Sequence, residues 1–159
     1  MKAVVVYYSL EGNTKYVADY LHKKFGVDLL ELKPLKDFNP RGWLRFLIGG
    51  FQVIFKFCPV LHEYSFSADK YETIVLATPV WAGTFAPSIR TFLKENNLKN
   101  KKVAFCACHN GSAGHTFQDL KLINEKNTIL EALELVLPLS KKSKEKDKLI
   151  DIWAKKFFN

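Results

Sequence analysis

Apolar and polar positions follow two regimes along this chain. Residues 2–9, KAVVVYYS, form a continuous apolar run rich in Val and Tyr, the pattern of a strand covered on both faces. From Asn13 the period changes. Tyr16, Val17, Tyr20, Leu21 and Phe25 recur every three or four residues and predict a helix with one apolar face, ended by Gly26. VDLLELKP (27–34) predicts a second strand, bounded by Pro34, and ETIVLATPV (72–80) a third, bounded by Pro79. APSIRTFLKEN (86–96) reads as a helix with Pro87 in its first turn, KKVAFCACH (101–109) as a fourth strand, and AGHTFQDLKLINEK (113–126) has helical apolar spacing. TILEALELVLP (128–138) is ambivalent: its composition favours helix, whereas its place before another helical segment favours strand. Its last two-thirds are assigned as the fifth strand. A final helix from Lys144 is expected to bury Leu149, Ile152, Trp153 and Phe157.

Strands that alternate with crossover helices in this way require a parallel sheet flanked by helices, an α/β fold. The 159 residues suit one domain with a sizeable core. The atypical stretch is an insertion at about 35–70, whose centre, 41–66, is dense in aromatic residues and carries a double glycine. A helix from about Arg41 to Ile48 and a flap near the strand ends are one reading of it. Additional hydrophobic core is the equal alternative.

Charge and cysteine content narrow the classes of function. Net charge is +8, with seven lysines facing three acids in residues 141–158. Such a field attracts an anionic or acidic partner and also suits a solvated helix surface. The chain has neither arginine-rich clusters nor zinc-knuckle spacing, which argues against nucleic acid. No export signal or membrane span is read from its apolar runs. Cys58, Cys106 and Cys108 are odd in number and form no disulfide framework; Cys106 and Cys108 alternate on one strand as buried small hydrophobes, and a reducing cytoplasm fits them.

Candidate chemistry lies in three loops, each leaving the carboxyl end of an apolar strand, where open parallel sheets bind ligands. In SLEGNT (9–14), Gly12 permits close backbone approach, while Ser9, Asn13 and Thr14 can donate hydrogen bonds beside the amides of a helix start. A phosphate nest and a plain helix cap by Ser9 or Asn13 account for it equally well. It is neither G-x-G-x-x-G nor the G-x-x-x-x-G-K-[ST] loop. TPVWAGTFAP (78–87) offers the indole of Trp81 beside Gly83, an aromatic able to cover a flat conjugated ring. HNGSAGHT (109–116) offers backbone groups around Gly111, Ser112 and Gly114. His109 and His115 are read there as polar caps, because no carboxylate partner is identifiable from sequence. No catalytic dyad and no metal site are read.

YYSLEGNTKYVA, LATPVWAGTFAPSIRTFL and FCACHNGSAGHTFQDL together resemble the flavodoxin family, in particular small flavodoxin-like proteins with a Pro-Val-Trp type loop after the third strand. The likeness spans the chain in element order. It implies a single flavodoxin-like domain, a three-layer sandwich whose five-stranded sheet runs 2-1-3-4-5, with flavin mononucleotide (FMN) at the switch between the first and third strands. Carried over by position, Ser9, Leu10, Glu11, Gly12, Asn13 and Thr14 match the family's phosphate loop. Thr78, Pro79, Val80, Trp81, Ala82 and Gly83 match the loop beside the isoalloxazine, and His109, Asn110, Gly111 and Ser112 the loop on its other side. Two departures stand out: Glu11 occupies a position where the family commonly has Thr, and no aromatic precedes Phe117 in the third loop, so a second stacking group would come from 41–66. The resemblance implies FMN-dependent electron transfer with a redox partner protein. Its alternatives are an NAD(P)H-dependent reductase of quinone-like acceptors and an interaction protein without cofactor. The basic charge disfavours docking onto basic partners, and the 41–66 segment would serve as a substrate wall or a homodimer surface.

Overall fold

The Val-rich run becomes an inner strand because both of its faces are covered. In a computed structural model, which describes residues 2–36, 57–139 and 144–158, β1 (Ala3–Tyr7) leads to α1 (Asn13–Phe25) and β2 (Asp28–Glu31). After the insertion and a single 3₁₀ turn, β3 (Thr73–Trp81) and β4 (Thr84–Phe85) precede α2 (Pro87–Asn96). Then come β5 (Lys102–His109), α3 (Thr116–Ile123), β6 (Thr128–Val136) and α4 (Lys144–Ala154). Five strands pair in parallel in the order β2–β1–β3–β5–β6, and β4 folds back antiparallel on β3. This is the 2-1-3-4-5 order that the resemblance implies.

Side chains that alternate across the sheet feed two cores. Val5, Tyr7, Val75, Cys106 and Cys108 face α1 and α4, meeting Val17, Leu21, Ile150 and Trp153. Val4, Val6, Tyr8, Ile74 and Phe105 face α2 and α3, meeting Ile89, Phe92 and Leu120. Cys106 and Cys108 are thus the small buried residues expected. Hydrogen bonding to Cys108 and complete burial push the Cys106 thiol well above its usual range. Gly26 ends α1 in the left-handed region, at φ +66, with its N–H on the His22 carbonyl. Pro87 opens α2 at a position where a missing N–H costs nothing.

Three expectations are corrected. β6 takes the ambivalent segment from its first residue, Thr128, because pairing with β5 continues past an irregularity between Val103 and Phe105. Pairing along a whole neighbouring strand overrides the helical preference of Leu, Glu and Ala. β3 runs on through Pro79 to Trp81, since Val80 and Trp81 pair with Phe85 and Thr84 in a hairpin. In α4 the buried face is Ile150, Trp153 and Ala154, while Leu149 and Ile152 are about half exposed, at 46% and 53%. The reason lies one helix away: Asp147 and Asp151 face α1, where they accept from the hydroxyls of Tyr16 and Tyr20. Those bonds turn Leu149 and Ile152 outward.

The expected helix at 41–48 lies outside the described residues. The described end of the insertion contributes core. Leu35 N–H and His62 N–H bond the Val60 and Lys33 carbonyls at 2.9 and 2.7 Å, forming an isolated antiparallel bridge between Pro34 and Leu61 just after β2. Tyr64 and Phe66 then pack on Phe92 of α2.

Burial and the Asp147 carboxylate push the Tyr16 phenol up to about 12; burial and Glu95 do the same to Tyr64. The folded state keeps both protons beyond the ordinary value of 10.0 at which the unfolded chain releases them. Their contribution is therefore full below pH 10 and is lost as pH rises toward 12. Urea midpoints measured across that window should fall, and should fall less steeply in a Tyr16→Phe, Tyr64→Phe double variant.

Candidate functional site

The chain passes from β1 to β2 on one side of the sheet and returns to β3 on the other, which opens a crevice at the carboxyl ends of β1 and β3. The three loops predicted from sequence leave β1, β3 and β5, which are adjacent in the sheet, so they converge on that edge.

The first loop presents donors. Gly12 is the residue before α1 and sits at φ +86, a left-handed conformation in which a side chain is strained. No side chain caps the helix from that position. Ser9 Oγ instead accepts the Lys15 N–H at 3.1 Å, which leaves the Ser9 hydroxyl proton to donate elsewhere. First-turn amides have no intrahelical acceptor, so with that of Lys15 satisfied those of Asn13 and Thr14 stay available to a ligand. Thr14 Oγ1 is buried and has no hydrogen-bond partner among the described residues. A buried hydroxyl without a partner is costly, and a ligand oxygen would satisfy it. The Lys15 ammonium is drawn to the Tyr7 hydroxyl and Asp19, at 3.4 and 3.6 Å, so the loop's donors are neutral dipoles. Glu11 is exposed, and Leu10 is half-buried against the core on the α2 side.

The second loop is a two-residue hairpin. Ala82 and Gly83 both have positive φ, +46 and +80, the turn geometry whose twist matches antiparallel strands. Trp81 is half-buried and meets Tyr8 edge-on at 5.6 Å, which fixes the indole beside the end of β1. Thr78 is completely buried, and its hydroxyl oxygen lies 2.8 Å from the Pro79 carbonyl and accepts from the Ala86 N–H at 2.9 Å. Those bonds hold the hairpin in place and spend the Thr78 side chain inside the fold. Pro79 and Val80 are half-buried strand residues.

The third loop is exposed from Asn110 to Ser112. His109 has the carboxylate that the sequence reading did not find: Nε2 lies 2.6 Å from Glu134 Oε1 on β6. Nδ1 accepts the Gly111 N–H at 3.0 Å. With Nδ1 accepting, Nε2 is the ring nitrogen that donates to Glu134. His109 thus organises the loop, as the cap reading held, with an anchor across the sheet. Parallel register places Glu134 beside Ala107, two residues before His109 on the same face, a relation that becomes visible only when the two strands are paired. His115 is exposed, and its ring pairs with Gln118 at 3.1 Å.

Second and third loops touch directly. His115 N–H bonds the Gly83 carbonyl at 2.6 Å, Thr84 bonds Asp119, and Gly114, at φ +55, leaves no room for a side chain against Gly83. The groups that sequence reasoning missed are Tyr8, Glu134, Asp119 and the turn at 137–139. Each acts through a partner distant in sequence.

This architecture is that of a flavodoxin-like α/β protein. The chain superposes on a candidate flavoprotein from Bacteroides eggerthii with a TM-score of 0.81 at 23% identity, covering 97% of this chain and 96% of that one. A flavoprotein from Lactobacillus acidophilus, solved in complex with FMN, matches with a TM-score of 0.76 at 20% identity over 96% and 98% of the two chains. An NADPH-quinone reductase from P. pentosaceus matches with a TM-score of 0.64 at 10% identity over 100% and 99%. No protein-family model matches the chain, and no curated protein matches it. No helix among the described residues is long and apolar enough to cross a membrane.

Proposed function

We propose that this protein binds FMN across the crevice between β1 and β3 and works in electron transfer. The observation that carries the reading is the first loop. A glycine at positive φ, two first-turn amides, the Ser9 hydroxyl proton and the unpartnered Thr14 hydroxyl form a set of donors suited to a dianion. The FMN bound to the Lactobacillus acidophilus protein of the same fold supports the choice of anion. When bound, the isoalloxazine would supply one- or two-electron chemistry.

The chain's own contribution is binding and placement. Ser9, Gly12, Asn13 and Thr14 would hold the phosphate, with Leu10 and Glu11 contributing backbone. Trp81, braced by Tyr8, and the Ala82–Gly83 backbone would border the ring on one side. Asn110, Gly111 and Ser112, held by His109, would border it on the other. Thr78 supports this arrangement from within, and Pro79 and Val80 carry the strand that delivers it. The reading needs no side-chain base.

A net charge of +8 favours an acidic redox partner or a small anionic reductant such as NAD(P)H over a basic partner. Three thiols, Cys58, Cys106 and Cys108, suit a reducing compartment such as the cytoplasm. The purified protein titrated with FMN should show bound-flavin bands in the visible spectrum. Rapid reduction of that flavin by NAD(P)H alone indicates a reductase, and reduction only through a protein reductase indicates a carrier. Absence of any FMN affinity would leave the fold as an interaction module and sink the reading. Because Glu11 is exposed, Glu11→Thr should change FMN affinity by less than about threefold in physiological salt.

A further inference from the structure

The turn after β6 lies against two of the three loops. Leu137, at φ +36, donates its N–H to the His109 carbonyl at 2.9 Å. Lys146 of α4 bonds the Val136 and Leu137 carbonyls at 2.7 and 3.0 Å, which ties the turn to the last helix. Two residues on, Leu139 donates its N–H to Asn13 Oδ1 at 2.9 Å. Its Cδ2 stands 3.0 Å from where a Cβ on Gly12 would lie.

A main-chain N–H can bond only the oxygen of a carboxamide, so the identity of this partner settles which way Asn13 is turned. The planar amide carries its oxygen and its NH₂ on opposite sides. With Oδ1 committed to Leu139, Nδ2 points away from the turn, and its protons have no acceptor among the described residues. Reversed, the same side chain would offer a lone pair where the loop otherwise offers donors. Since the donors around it are neutral, one reversed amide would cancel a sizeable part of the loop's attraction for an anion.

We infer that Leu139 is a positioning residue for the phosphate loop: its N–H holds Asn13 in the amide orientation that offers donors to a phosphate ester. This inference rests on the FMN reading. It makes the 137–139 turn a fourth element of the site, linked to the third loop through His109 and to α4 through Lys146.

Asn13→Asp tests it with little disturbance to the fold. Aspartate keeps an oxygen for the Leu139 N–H and exchanges the NH₂ for a charged oxygen. A carboxylate in the first helical turn favours the helix, so thermal stability should hold or rise. FMN affinity should fall at least about tenfold, the order of one charge-assisted hydrogen bond lost, while riboflavin, which lacks the phosphate, binds as before. Leu139→Pro removes the N–H and Leu139→Ala retains it. The ratio of FMN to riboflavin affinity should fall about tenfold in the proline variant and hold in the alanine variant. An unchanged ratio in Asn13→Asp, or equal ratios in the two Leu139 variants, overturns the inference. If Leu139→Pro does not fold, an unchanged ratio in Asn13→Asp still overturns the inference. Unmodified protein that prefers FMN to riboflavin, with unresponsive variants, refutes the positioning role and leaves the FMN reading standing. Unmodified protein that binds neither flavin refutes both.

Discussion

Gly114→Ala should lower the unfolding free energy by about 3 kcal/mol, the upper range for a single substitution that combines strain with a backbone clash. A Cβ at Gly114 would stand 2.6 Å from the Gly83 Cα and would also strike the Gly83 carbonyl oxygen, so backbone must move to admit it. That carbonyl accepts the His115 N–H at 2.6 Å, and the movement would therefore weaken the seam between the second and third loops. The φ of +55 adds the cost of a left-handed alanine. Gly111→Ala is the matched control. Among the described residues, no atom beyond its chain neighbours lies within 4 Å of a Cβ placed there, and the variant should unfold within about 0.5 kcal/mol of the unmodified protein. Urea unfolding of both variants gives the comparison, and equal midpoints would refute the seam.

Trp153→Ala should cost about 3–4 kcal/mol, the range for deleting a buried aromatic side chain. Trp153 is 4% exposed and meets Phe157 edge-on at 5.0 Å, within the core shared with α1. Ile152→Ala, one residue earlier but 53% exposed, should cost less than about 0.5 kcal/mol. Comparable losses in the two variants would mean that α4 is docked on a different face. The Trp153 Nε1–H is buried without an acceptor among the described residues, so Trp153→Phe should be much milder than Trp153→Ala, because it retains aromatic volume and removes a buried donor.

The contrast within α4 shows where sequence reading reaches its limit. Apolar spacing identifies a helix and cannot choose between Ile150 with Trp153 and Leu149 with Ile152, since both pairs repeat at helical intervals. What decides is the attachment of Asp147 and Asp151 to the tyrosines of α1, a contact between segments far apart in the chain. The same division runs through the site. The three loops were legible because a strand that ends in Gly and polar residues carries its own local signal, and the sheet order followed from the resemblance those loops carry. Glu134 beside His109, Gly114 against Gly83 and Leu139 on Asn13 gave no such signal. Each depends on the register or proximity of elements that meet only in the folded sheet. Thr78 shows a further limit, because a place in a loop at the strand ends does not reveal that the side chain's bonds are both internal.

The Asn13–Leu139 hydrogen bond spans 126 positions, and the bonds from Tyr16 and Tyr20 to α4 span 131 each. A ribosome therefore completes the first loop's local sequence long before it makes the residues that orient that loop. During synthesis the early β1–α1 segment has its glycine turn and its amides but lacks the brace for Asn13. On the proposed FMN reading, full selectivity for a phosphate ester would wait until β6 and α4 have emerged and docked. Long-range closure of this kind is also the slow part of folding. On that reading the loop's affinity for a phosphate ester would be a late readout of assembly, acquired when the C-terminal helix has found its place.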